Sequence, residues 1–131
     1  MSVLLTVLFS VAAALGAVGR VTVDTLVRRG RPGTAGIVVV NIAGSLLLGV
    51  LTALAGVLWY DAGWHISTAY PPAWYVIAGV GGCGSFTTFS TAITDVLALV
   101  RARHWGRAVG LLVGTWVGSV AAVGAGIWLA S

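Results

Sequence analysis

Long apolar runs alternate with three short polar connections along this chain. The connections are "RRGRPG" from Arg28, "YDAGWHISTAYPP" from Tyr60 and "RARHWGR" from Arg101. Between and around them lie four apolar stretches, about residues 4–27, 34–59, 72–100 and 105–130. Each exceeds the roughly 20 apolar residues that an α-helix needs to cross a bilayer core. The pattern predicts an all-α integral membrane fold, one domain of four spans covering residues 1–131. The first apolar run has no basic flank and no small-residue cleavage pattern, so it reads as a span and not as a secretory leader. Pro32, Pro71 and Pro72 fall in connections or first helical turns, where a missing N–H costs nothing. Trp59, Tyr60, Trp64, Tyr70, Trp74, Tyr75, Trp105 and Trp128 gather near the expected span ends, as an interfacial aromatic belt does.

Composition narrows the class further. Charged residues make up 8% of the chain, against roughly 25% in soluble domains. Seven arginines and three aspartates cannot solvate a globular surface of this length. The arginines sit at span ends, so they read as topology signals and not as a nucleic-acid face. A single cysteine, Cys83, excludes an intrachain disulfide or a cysteine metal cluster. His65 and His104 have no metal-ligand spacing. No carboxylate pair or nucleophile–base couple suggests an enzyme.

Charge also fixes an expected orientation. Arg28, Arg29 and Arg31 lie in the first connection, and Arg101, Arg103 and Arg107 in the third. The second connection and both termini carry none. The positive-inside rule then puts connections one and three in the cytoplasm and both termini outside, with one orientation strongly preferred.

Ionisable and polar residues inside a bilayer are functional candidates by default. Arg20 either snorkels or borders a pathway, and Asp24 is placed to pair with it at i,i+4. Asp95 follows a hydroxyl run, which favours a pathway role over that of a helix-end acid. Asn41 is the lone amide in an apolar run and reads first as a hydrogen-bonding link between helices. Thr115 and Ser119 share one helix face, and each could bond back to its own i−4 carbonyl. Gly16/Gly19 and Gly110/Gly114/Gly118 have helix-packing spacing, suited equally to contacts within the chain or between subunits.

The least span-like stretch is "GGCGSFTTFSTA" at residues 81–92. Six of the ten residues from Ser85 to Thr94 carry a hydroxyl. The glycines from Gly79 to Gly84 predict a third helix broken at mid-membrane. Backbone groups freed there must be buried in protein or face an ion path. Hydroxyl donors and the ring edges of Phe86 and Phe89 suit a small anion held loosely.

These residues resemble the Fluc (CrcB) fluoride channels along essentially the whole chain. The likeness rests on "GAVGR" in span one, "VNIAGSLLLG" in span two, "GGCGSFTTFST" in span three, and Thr115 with Gly118–Ser119 in span four. The resemblance implies an antiparallel dimer with fluoride pores and a central structural Na+. It implies that the Na+ is held by the backbone carbonyls of Gly84 and Thr87, two from each subunit. It assigns Asn41, Phe89, Thr91, Thr115 and Ser119 to the fluoride pathway, with Asp95 at a position where the family usually has Glu. The family's second phenylalanine is Ala92 here. That departure, with the arginine bias, favours a heterodimer with an oppositely oriented paralogue over a homodimer. The expected function is passive fluoride export across the cell's inner (plasma) membrane. The alternatives are a small proton-coupled multidrug transporter subunit, which would need a deep acid in span one, and a non-conducting assembly subunit.

Overall fold

Ser2 opens the first helix, α1 (Val3–Arg28): its Oγ accepts the Leu5 amide at 3.3 Å, the capping bond that a short hydroxyl makes readily. Arg29 closes it in the left-handed conformation, φ 45°, with its N–H donating to the Thr25 carbonyl. In this computed structural model residues 2–29, 33–56 and 71–131 are described. Helix α2 (Ala35–Leu54) ends at a turn where Gly56 has φ 65°, a conformation that a residue lacking Cβ takes without strain. Its expected continuation to residue 59 passes outside the described residues, as do Arg31, Pro32, Trp59, Tyr60, Trp64, His65 and Tyr70.

The third span is composite. It starts with α3 (Ala73–Tyr75), widens into a π-helical segment (Val76–Cys83), and returns to α-helix in α4 (Gly84–Phe86). Thr87 and Thr88 then leave the helix altogether, with φ/ψ of −75°/158° and −150°/125°. Helix α5 (Phe89–Arg101) resumes with Thr88 as its cap, the Thr88 Oγ1 accepting the Thr91 amide. The glycine run is therefore wound, and the interruption lies just beyond it. Glycines permit close packing there, whereas the extended pair is set by a partner on α2. Helix α6 (Trp105–Ala130) spans the predicted fourth stretch.

All four stretches are long and apolar enough to cross a membrane, and large apolar side chains such as Val18, Leu47, Leu97 and Val120 are exposed along them. This is the surface of a multi-pass membrane protein, solvated by lipid. Helix α2 is the centre, with Ile37, Val40, Asn41, Gly44, Gly49 and Ala53 buried. It meets α6 almost backbone to backbone. A Cβ at Gly49 would strike the Val123 carbonyl, and one at Gly126 the Leu46 carbonyl. Such small-residue seams gain van der Waals contact that lipid cannot supply.

Helix α1 packs on the first arm of the third span, Gly16 against the Gly82 carbonyl and Gly19 against the Phe86 ring. The second arm, α5, packs instead on α6. The extended pair lets one span change partners midway. On α6, Gly118 meets Ile42, whereas Gly110 and Gly114 face open space. The α6 glycines thus do not form one seam within the chain.

At the arginine-rich end, the expected Arg20–Asp24 pair is replaced by another. Asp24 Oδ1 accepts Arg28 Nε at 2.7 Å, and the same guanidinium reaches Asp95 Oδ2 at 3.5 Å. An acid one turn before a base is the better helical order. From position 28 the guanidinium also ties α1 to α5.

Candidate functional site

Asn41 organises the site. It is 7% exposed, held on the innermost face of α2. Its Nδ2 donates to the Thr88 carbonyl at 2.9 Å, and its Oδ1 accepts the Thr88 N–H at 2.7 Å. One amide therefore bonds both backbone groups of a buried, extended residue, whose N–H would otherwise be left without a partner in an apolar surround, which is costly.

The clamp changes the carbonyls before it. In a continuous helix the Thr88 N–H would go to Gly84, but here it goes to Asn41. The Thr91 N–H would go to Thr87, but here it donates to Thr88 Oγ1 at 3.3 Å. The carbonyls of Gly84 and Thr87 thereby lose their helical donors. These are the two oxygens that the resemblance implies for Na+. Carbonyl oxygen is the ligand type that a hard cation takes, and a Cβ at Gly84 would meet nothing within 4 Å. The donor set fits a monovalent cation, with the remaining ligands to come from elsewhere.

Asn41 also edges a cavity of about 550 Å³ between α2, α5 and α6, which Thr87 and Thr88 line with it. Asn41 and Ser45, one turn apart, edge it from α2, and Thr115 and Ser119, also one turn apart, edge it from α6. Thr115 Oγ1 is buried and finds no hydrogen-bond partner among the described residues. Among the described residues the hydroxyls of Ser45 and Ser119 are also unengaged, while those of Ser10, Thr22, Thr25, Thr52, Thr87 and Thr94 each bond back one turn. Most hydroxyls elsewhere on the spans are spent on their own helices, and on the cavity those of Thr87 and Thr88 are engaged as well, which leaves Ser45, Thr115 and Ser119 free to donate. Phe89, 75% exposed, lines the cavity at its rim together with Trp116 and the buried Ala92.

Of the expected pathway residues, the structure brings Asn41, Phe89, Thr115 and Ser119 to this cavity, and Thr87 with them. Two stand apart. Thr91 Oγ1 accepts from Thr88 Oγ1 at 3.1 Å as part of the cap. Asp95 is taken up by Arg28 and does not line the cavity. Sequence reasoning passed over Ser45, Thr88 and Trp116. Ser45 follows Asn41 by four residues, so the same face was readable. Trp116 lies in the middle of its span, where an interfacial anchor has no place.

Four apolar spans, an interrupted third span and a cavity edged by unused hydroxyls define a small multi-pass membrane protein. Residues 7–127 match the family model described as "CrcB-like protein, Camphor Resistance (CrcB)". The chain belongs to this CrcB-like family. It is 42% identical over 121 residues to "Fluoride-specific ion channel FluC 1" of Symbiobacterium thermophilum, covering 88% of this chain and 90% of that protein. It is 34% identical over 131 residues to "Fluoride-specific ion channel FluC 1" of Leifsonia xyli subsp. xyli, covering 98% and 88%. A "Fluoride-specific ion channel FluC" of Gloeobacter violaceus is 34% identical over 123 residues, covering 92% and 90%.

Proposed function

We propose that this chain is a subunit of a fluoride-selective channel that lets cytoplasmic fluoride leave down its gradient and so confers fluoride resistance. The observation that carries this reading is the set of free hydroxyls on one cavity, above all the buried, unpartnered Thr115 Oγ1. Fluoride is small and strongly hydrated, so a path for it must offer many neutral donors in place of water. Ser45, Thr115, Ser119 and the remaining Nδ2 hydrogen of Asn41 are such donors. At about 550 Å³ the cavity is a vestibule and not a snug site for one small ion. The ring edge of Phe89 at its rim carries partial positive charge. Among the described residues no formal cation lines this cavity, so an anion is not trapped.

Na+ held by Gly84 and Thr87 is part of the proposal. The carbonyls of Gly84 and Thr87 would hold it, and it would supply positive charge beside the interruption. Two carbonyls leave a hard cation under-coordinated, which supports a second subunit contributing the rest. The strong arginine bias supports a fixed orientation in the plasma membrane, with connections one and three cytoplasmic and both termini outside. The same bias, with Ala92 leaving one ring where the family pattern has two, supports an oppositely oriented paralogue as partner. The transporter alternative needs a free acid deep in span one, and Asp24 is neither deep nor free.

The test is fluoride efflux from proteoliposomes, followed with a fluoride electrode, using the chain alone and with its oppositely biased paralogue. Fluoride efflux without chloride efflux is expected from the pair. No fluoride efflux from either preparation refutes the channel; full efflux from the chain alone refutes the obligate heterodimer.

A further inference from the structure

We infer that Asn41 is a positioning residue, which holds the third span open at Thr88 and thereby exposes the Gly84 and Thr87 carbonyls to a cation. This inference rests on the cation reading above and assigns Asn41 a task distinct from contact with the anion.

The argument starts from hydrogen-bond capacity. A primary amide has one carbonyl oxygen and two N–H groups. The Thr88 backbone takes the oxygen at 2.7 Å and one N–H at 2.9 Å. One N–H is left for any ion in the cavity. Both partners are buried, Asn41 at 7% and Thr88 at 8% exposure, and among the described residues Asn41 is the only side chain that bonds the Thr88 N–H. The unclamped alternative is then the ordinary one: the Thr88 N–H returns to the Gly84 carbonyl and the span closes into continuous helix. Closure consumes the carbonyl offered to the cation.

The clamp also needs its carrier to be rigid and close. Val40, beside Asn41, is 0% exposed, and α2 is seated on α6 by the Gly49 and Gly126 contacts. One turn from Asn41, Gly44 lets α2 approach the interruption, since a Cβ there would lie 2.5 Å from Thr87 Cγ2 and 2.9 Å from Phe86 Cδ1. Asn41 thus both edges the cavity and bonds the residue that follows the Thr87 carbonyl.

The experiment measures two quantities on the assembled channel, with its paralogue if efflux requires it. One is the increase in melting temperature in detergent when N-methylglucamine is replaced by Na+. The other is fluoride efflux. Wild type is expected to show a Na+-dependent increase. Asn41→Ala is expected to lose it, and Ser45→Ala to keep it while conducting more slowly. Asn41→Asp keeps an acceptor for the Thr88 N–H but sets a second oxygen against the Thr88 carbonyl. Protonating the introduced carboxyl restores the donor, so its Na+ response is expected to return as pH falls. That pH series keeps the question answerable if Asn41→Ala does not fold.

A full Na+ response in Asn41→Ala together with lost efflux overturns the proposal and makes Asn41 an ion ligand. A Na+ response in Asn41→Asp that ignores pH overturns it as well. Wild type without any Na+ response overturns the cation reading beneath it, while wild-type efflux reports separately on the channel.

Discussion

Removing the Thr115 hydroxyl should make the protein more stable and less conductive. Thr115→Val exchanges a hydroxyl for a methyl of similar shape. The Oγ1 is buried and has no partner, a state that costs about 1–3 kcal/mol by comparison with mutated proteins. Helix α6 keeps its backbone bonds, and the valine methyl meets an otherwise largely apolar wall that includes Leu112 and Val113. Without fluoride the variant should therefore gain roughly 1 kcal/mol, read as a higher melting temperature in detergent. In conduction the sign reverses. A hydrogen bond to a charged group contributes about 1.5–3 kcal/mol, so its loss at a rate-limiting position slows efflux by about 10- to 150-fold. Both measurements use one preparation. A variant that is less stable than wild type yet conducts normally would show that the hydroxyl serves folding and not the path.

Three further outcomes follow from the packing and the ion pairs. Ser45→Ala should leave stability within about 0.5 kcal/mol, as expected when no bond is lost, while slowing fluoride efflux; unchanged efflux would remove Ser45 from the path. Gly44→Ala places a methyl 2.5 Å from Thr87 Cγ2, and overpacking of this kind should cost about 1–3 kcal/mol in a thermal melt. Arg28→Gln and Asp95→Asn should couple by about 0.5–1 kcal/mol in a double-mutant cycle, the range for partly exposed pairs. Additive effects would mean that the 3.5 Å contact carries no stability.

Much of this protein can be read without its coordinates, because a bilayer imposes a simple rule: each spanning segment must satisfy its own backbone over a fixed thickness. Hydropathy alone marks the four spans, and α6 falls on the stretch expected for it. The residues beside the third-span interruption were legible as chemistry too. The hydroxyl run and Asn41 are out of place in hydrocarbon, and residue type alone says so.

Partnership is what hydropathy does not encode. Glycines at positions 79–84 suggested a break in the run itself, but they are wound into helix against α1, and the extended residues are Thr87 and Thr88. That choice is made by Asn41, 47 residues away in sequence from Thr88. Asp24 and Asp95 were readable as costly acids but not as the two sides of Arg28. Ser45 became a candidate once α2 and α6 were seen to put two hydroxyl-bearing faces across one cavity. Residue types along the chain set the class of solvent, the number of spans and the stock of donors. Packing between helices sets which donors are used up by backbone and which remain free, because a hydrogen bond is settled by the geometry of both partners and each helix carries only its own half.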